Sequence, residues 1–286
     1  MDKVKIIECP RDAMQGIDKF IETEKKIAYL NSVLQVGFDT VDFGSFVSSK
    51  AIPQMADSSK VIEKLDLSET KSKLLAIVAN QRGAEDACAY DQIDYLGFPF
   101  SISETFQKRN TSAGIEEALN RVEAIQNLCI LHKKKLVVYI SMAFGNPYGD
   151  PWSSELAVFW STKLVKEFGV SIIALSDTIG NSNPSSIAEI FEPLIKSLPD
   201  TEFGAHLHTN PNNWKEKLDA AFLAGCRRFD GAIKGFGGCP MAADELTGNM
   251  PTEKLLAYFN QKKIDHNCNE VAFKNAMAES SKIFDN

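Results

Sequence analysis

The stretch Val4-Lys5-Ile6-Ile7-Glu8-Cys9-Pro10-Arg11-Asp12-Ala13-Met14-Gln15 decides between two architectures. Val4–Cys9 is a short apolar run and reads as a strand. In a doubly wound open sheet the turn after the first strand usually carries a glycine-rich phosphate loop. Here the turn has no glycine at all, which favours a closed barrel. The same alternation continues outward along the chain. Strand patterns cover Val4–Cys9, Thr40–Phe46, Lys73–Ala79, Tyr95–Ser101, Lys135–Met142, Val170–Ser176, Glu202–His208 and Arg228–Ile233. Helical patterns lie between them at Asp18–Val36, Ser58–Lys64, Gly83–Ala89, Gly114–His132, Ser153–Phe168, Ser185–Ser197 and Asn213–Ala224. Gly37, Gly169 and Gly225 stand where helices should stop in a left-handed residue. Eight strands alternating with helices in 286 residues is the count of an α/β fold of the (β/α)8 TIM-barrel type. Thr252–Asn260 and Phe273–Ile283 add two helices, so residues 1–286 read as one barrel domain with a C-terminal helical extension.

Composition narrows the function. With 44% hydrophobic and 24% charged residues the chain has a normal globular balance. A net charge of −7 argues against a nucleic-acid partner, since a phosphate backbone needs a basic face. No apolar run approaches the roughly 20 residues that span a bilayer, so no membrane association is expected. The N-terminus runs straight into the first strand, with no signal or transit pattern. The six cysteines show no Cys-x-x-Cys spacing and read as reduced thiols, which predicts a cytoplasmic protein.

Barrel enzymes carry their chemistry at the C-terminal ends of the strands. Read in that way, one rim collects Arg11 and Asp12 from strand one, Asp42 from strand two and Asp177 from strand six. It also collects His206 and His208 from strand seven, then Cys239 and Asn249 after strand eight. Histidines two apart on a strand share a face and can bind one metal ion. Each residue also has a bland reading. The histidines could be solvated, Arg11-Asp12 a surface ion pair, Asp177 a turn cap and Cys239 a small buried hydrophobe. Their convergence on one rim favours a functional site.

Seven motifs, Pro10-Arg11-Asp12-x-x-Gln15, Ser45-Phe46-Val47-Ser48, Pro53-Gln54-Met55, Ser103-Glu104-x-Phe106-x-Lys108-x-Asn110, Asp177-Thr178-Ile179-Gly180, His206-x-His208 and Gly235-x-Gly237-Gly238-Cys239-Pro240, carry a resemblance. Over nearly its whole length the chain resembles the 3-hydroxy-3-methylglutaryl-CoA lyases, metal-dependent barrel enzymes. The resemblance implies that Asp12, His206, His208 and Asn249 bind a divalent cation, Mg²⁺ or Mn²⁺. It implies catalytic roles for Arg11 at the enolate oxygen, Asp42 beside it, Asp177 as a carboxylate, and Cys239 in proton transfer. The implied partner is an acyl-CoA, cleaved in a retro-Claisen reaction to acetyl-CoA and acetoacetate, by a homodimer. A related Claisen or aldol enzyme on another acyl-CoA or 2-oxo acid is the alternative, and a non-catalytic metal-binding barrel the third reading.

The chain departs from the family in four places, one of them Ala13-Met14 where Gly-Leu is usual after Arg-Asp. Asp42 stands where a glutamate is usual, and Thr209-Asn210 where Asp-Thr is usual. The stretch Phe144–Gly149 lacks the usual cysteines. The shorter Asp42 stem predicts a contact to Arg11 through a water, and a site that accommodates glutamate at this position.

Overall fold

In the computed structural model, which describes residues 3–238 and 247–284, eight short parallel strands close into one barrel. The chain runs β1 (Lys5–Glu8), α1 (Pro10–Gln15), α2 (Thr23–Leu34), β2 (Thr40–Ser45), α3 (Ser58–Ile62), β3 (Lys73–Ile77), α4 (Gln81–Cys88) and β4 (Ile93–Ser101). It continues through α5 (Glu104–Thr111), α6 (Ile115–Leu131), β5 (Lys135–Ser141), α7 (Ser154–Phe168), β6 (Ile172–Ser176), α8 (Pro184–Ser197) and β7 (Glu202–His206). Then come β8 (His208–Thr209), α9 (Trp214–Leu223), β9 (Arg228–Gly231), β10 (Gly248–Asn249), α10 (Thr252–Gln261) and α11 (Glu270–Phe284). The barrel order is β1 to β7 and then β9, which pairs back onto β1. The expected barrel is therefore the observed fold.

Two apolar layers hold it. Residues such as Leu74, Ala76, Val138, Ile140 and Ile173 point outward and pack under the helices. Leu75, Ile77, Val137, Tyr139, Ile172 and Ala174 fill the lumen. Alternation along each strand separates the two sets. Gly37, Gly169 and Gly225 take positive φ values of 85°, 68° and 99°, the helix stops their positions predicted. The C-terminal helix α11 lies against α2, with the Phe284 ring edge-on to Tyr29 at 6.0 Å.

Three differences bear on the site. Pro10–Gln15 is a short helix where a turn was expected, opened by Pro10 at its first position. Helix α5 is an addition, capped by Ser103, whose Oγ accepts from the Phe106 N–H at 3.2 Å. The expected strand Glu202–His208 breaks at Leu207. That side chain is buried, and its carbonyl accepts from the Met250 N–H at 3.2 Å. His208–Thr209 then pairs antiparallel with Gly248–Asn249, outside the barrel. Among the described residues the cysteines are free, and no helix is long and apolar enough to cross a membrane.

Candidate active site

Helix α1 turns Arg11 and Asp12 inward over the open end of the barrel. Both are buried, 9% and 8% exposed, which excludes a surface ion pair. The Arg11 Nε–H donates to Asp42 Oδ2 at 3.0 Å and Nη2 donates to the same oxygen at 2.6 Å. Nη1 donates to Asp12 Oδ1 at 3.1 Å and to Gln15 Oε1 at 2.8 Å. Four of the five guanidinium hydrogens are thereby accounted for. One hydrogen on Nη2 keeps no acceptor among these bonds.

The expected water between Asp42 and Arg11 is therefore corrected to a direct contact. The register of β2 against β3 shifts between Asp42 and Gly44, leaving Phe43 as an extra residue. Such a bulge bends a strand and re-aims its side chains. The extra residue follows Asp42 directly. Burial pushes the Asp42 carboxyl up to about 6, against the opposing pull of Arg11. For Asp12 burial also works upward, but the charges of Arg11 and His206 outweigh it and hold the carboxyl below its usual range.

Asp12, His206 and His208 come together as three donors whose ligand atoms lie within 4.8 Å of one another. Asn249 joins them through the β8–β10 pair, where it sits opposite His208. Its Nδ2 donates to Asp12 Oδ2 at 2.7 Å and to the Phe236 carbonyl at 2.9 Å. Burial, then the charge of His206, pushes the His208 imidazole down to about 4, so it is neutral and able to ligate near pH 7. Its Nδ1 lies 3.1 Å from the Thr178 carbonyl. A carbonyl can only accept, so the proton sits on Nδ1 and leaves Nε2 as the donor atom. One carboxylate, two imidazoles and an amide form a set that a hard divalent cation accepts when water or substrate oxygens complete it. The residues present thus fit the expected metal.

Asp177 stands apart from this cluster. Its Oδ1 accepts from the Ser182 N–H at 3.0 Å, and Oδ2 from the Ser182 hydroxyl at 2.5 Å and from Lys217 Nζ at 2.7 Å. The Lys217 ammonium also donates to the carbonyls of Gly180 at 2.9 Å and His208 at 3.0 Å. Asp177 and Lys217 are both about 1% exposed at the side chain. The pair ties the turn after β6 to the His208 backbone, and neither carboxylate oxygen faces the substrate side unengaged. The expected role of Asp177 as a reacting carboxylate has no support in this arrangement. Lys217 was missed in the sequence, although it falls on the buried face of α9 with Leu218 and Ala221. Cys239 lies outside the described residues. The loop leading to it passes close over α1, since a Cβ on Gly237 would meet Asp12 O at 2.7 Å.

Beside the rim, a cleft of about 390 Å³ opens between the loops after β5 and β6, lined by Phe144, Asn146, Asp150, Trp152, Asn181 and Asn183 among others. It does not include the cation ligands. Arg109, on α5, lies over the ring of Tyr148 from the loop after β5 at 4.7 Å.

Comparisons with known proteins match the chain over most of its length. The family model described as HMGL-like matches residues 3–278. Hydroxymethylglutaryl-CoA lyase YngG of Bacillus subtilis is 32% identical over 93% of this chain and 88% of that protein. The 3-hydroxy-3-isohexenylglutaryl-CoA/hydroxy-methylglutaryl-CoA lyase of Pseudomonas aeruginosa is 30% identical over 92% of this chain and 86% of that protein. The solved structure of an HMG-CoA lyase from Acinetobacter baumannii, in complex with coenzyme A and 3-methylmalate, superposes with a TM-score of 0.89 at 26% identity. That match covers 99% of this chain and 91% of the other. By fold, by rim residues and by these matches, the chain belongs to the HMGL-like family.

Proposed function

We propose that this protein is a carbon–carbon lyase that cleaves 3-hydroxy-3-methylglutaryl-CoA to acetyl-CoA and acetoacetate, with Mg²⁺ or Mn²⁺. The observation that carries the reading is Arg11, locked by Asp42 and Asp12, beside the Asp12–His206–His208 donor triad. The named activities of the Bacillus and Pseudomonas relatives support it.

The residues account for the steps. Asp12, His206, His208 and Asn249 would hold the divalent cation, and when bound it would supply Lewis acidity toward the substrate's tertiary hydroxyl. Transfer of the hydroxyl proton to a general base lets the C2–C3 bond break; the bonding pair stays with C2, and negative charge gathers on the thioester oxygen of the departing enolate. Arg11 meets that charge with the remaining hydrogen on Nη2, already oriented by Asp42, so little reorganisation is needed. Protonation of the enolate carbon completes acetyl-CoA, and Cys239 keeps this role from the family resemblance. Asp177 acts through Lys217 to hold the His208 segment. The cleft by Trp152 gives room for the CoA portion, with Arg109 bringing positive charge to its edge. A cytoplasmic homodimer completes the reading.

The test is production of acetoacetate from 3-hydroxy-3-methylglutaryl-CoA with Mg²⁺ or Mn²⁺ and its loss with chelator. Absence of product under saturating metal would end the proposal. A second arm offers a thioester with a longer branch at C3, since the Pseudomonas relative is named for an isohexenyl-branched substrate as well as the methyl one. Turnover of that substrate alone would move the assignment to the alternative acyl-CoA.

A further inference from the structure

The lumen of a barrel is normally filled by branched apolar side chains, and much of this one is. The sector formed by β1, β7 and β9 is different. Asp230 has a side chain that is 0% exposed, and its Oδ2 lies 3.1 Å from His206 Nδ1. Its other oxygen, Oδ1, has no hydrogen-bond partner among the described residues. Pairing of β7 with β9 runs through Gly204–Arg228 and Ala205–Phe229, so His206 and Asp230 face each other one step further on. Two residues earlier on the same inward face, Arg228 is also buried. Its Nη1 donates to Glu202 Oε1 at 2.9 Å, while Nε and Nη2 have no hydrogen-bond partner among the described residues. A Cβ at Gly204 would sit 2.9 Å from Arg228 Cδ, so the glycine leaves the space in which this side chain lies.

A buried carboxylate with one hydrogen-bond partner is costly and needs a nearby charge. Arg228 supplies that charge, since the two groups act on each other across the lumen. What Asp230 gains is control of one imidazole. We propose that Asp230 is a positioning residue for the cation site: it holds the proton of His206 on Nδ1 and so presents Nε2 to the cation. The two imidazoles are then backed unequally, His206 by a carboxylate and His208 by the Thr178 carbonyl. A carboxylate behind a ligating histidine fixes its tautomer and raises its basicity, and loss of such a partner typically lowers metal affinity about 10- to 100-fold. This inference rests on the assignment of Asp12, His206 and His208 as the cation site. A cluster of Cys9, His206 and Asp230 has atoms close enough to hold an ion itself, which gives the test a second arm.

The experiment measures Mn²⁺ binding by calorimetry, without substrate, for the full-length protein and its Asp230→Asn and Asp230→Ala variants. Nitrogen-15 spectra of the metal-free proteins report the imidazole tautomers in parallel. The chain has only four histidines, His132, His206, His208 and His266, so each can be assigned by substitution. The wild type should bind one Mn²⁺ and show His206 protonated on Nδ1 at mildly alkaline pH. Asp230→Ala should bind Mn²⁺ about 10- to 100-fold more weakly and lose the fixed tautomer, with Asp230→Asn intermediate. Asp230→Asn is nearly isosteric, so it decides the matter if the alanine variant fails to fold. Affinity within twofold of wild type in folded variants, or a wild-type His206 protonated on Nε2, would overturn the proposal. So would two Mn²⁺ per chain with the second abolished by Cys9→Ser, because Asp230 would then be a ligand. No Mn²⁺ binding by the wild type would instead remove the cation-site assignment.

Discussion

Replacing Asp42 by glutamate adds one methylene to the carboxylate that holds Arg11. One C–C bond is about 1.5 Å. The sequence predicts room for glutamate here, and the packing reverses that expectation: Asp42 is 1% exposed and its Oδ2 already stands 2.6 Å from Arg11 Nη2. The longer side chain must bend away or push the guanidinium aside, which typically costs about 1–3 kcal/mol in a packed interior. If that displacement falls on the transition-state contact, kcat should fall roughly 5- to 150-fold, with KM for 3-hydroxy-3-methylglutaryl-CoA nearly kept. Asp42→Ala should be worse. Nε and Nη2 lose their acceptor, and removing one partner of a buried pair costs about 3–5 kcal/mol. The remaining bonds to Asp12 and Gln15 both sit on Nη1, so the donor for the enolate can swing, and kcat should fall about 10²- to 10³-fold. Steady-state kinetics and urea unfolding of both variants measure the two effects separately. A glutamate variant with wild-type kcat and wild-type midpoint would refute the reasoning, since Arg11 would then not depend on where this carboxylate lies.

Arg11→Lys should cut turnover by two orders of magnitude or so, because an ammonium cannot keep planar bonds to Asp42, Asp12 and Gln15 and still serve the substrate; near-normal kcat would show the guanidinium to be dispensable. Lys217→Met should destabilise the fold by about 3 kcal/mol in urea by leaving Asp177 unpaired, and the double variant with Asp177→Asn should recover part of it; strictly additive losses would show that the two do not act as a pair. Glu8 is fully buried, and burial pushes its carboxyl up to about 8 although Ile233 N–H and the Thr252 hydroxyl donate to it. The folded state therefore holds this proton more tightly than the unfolded chain. Its stabilising contribution is complete below about 4.5 and is lost as pH rises through about 8, an effect of order a few kcal/mol. The melting temperature of wild type should fall across that window relative to Glu8→Gln, and parallel curves would show that Glu8 carries no such proton.

The barrel was legible in the sequence because hydrophobic period is a local property. Runs such as Lys135–Ser141, with patterned helices after them, specify strand and helix wherever the chain goes, and glycines at 37, 169 and 225 mark the stops. The gathering of Arg11, Asp12, His206 and His208 on one rim was legible too, because the fold sends every strand end to one face. What contacts those residues make was not local. Asn249 reaches His208 only because β8 leaves the barrel and pairs across forty residues with β10. Asp42 meets Arg11 directly, a contact between β2 and α1 that leaves no mark in a single sequence. Asp177 is matched to Lys217 by the packing of α9 under the β6 loop, and His206 to Asp230 by the register of β7 on β9. The alternation Arg228-Phe229-Asp230 in an otherwise apolar strand was a visible sign of a polar lumen, but not of its partner. Periodicity declares which face of an element is buried. Which polar group stands opposite depends on register, bulges and closure, and these are settled only when the whole barrel packs.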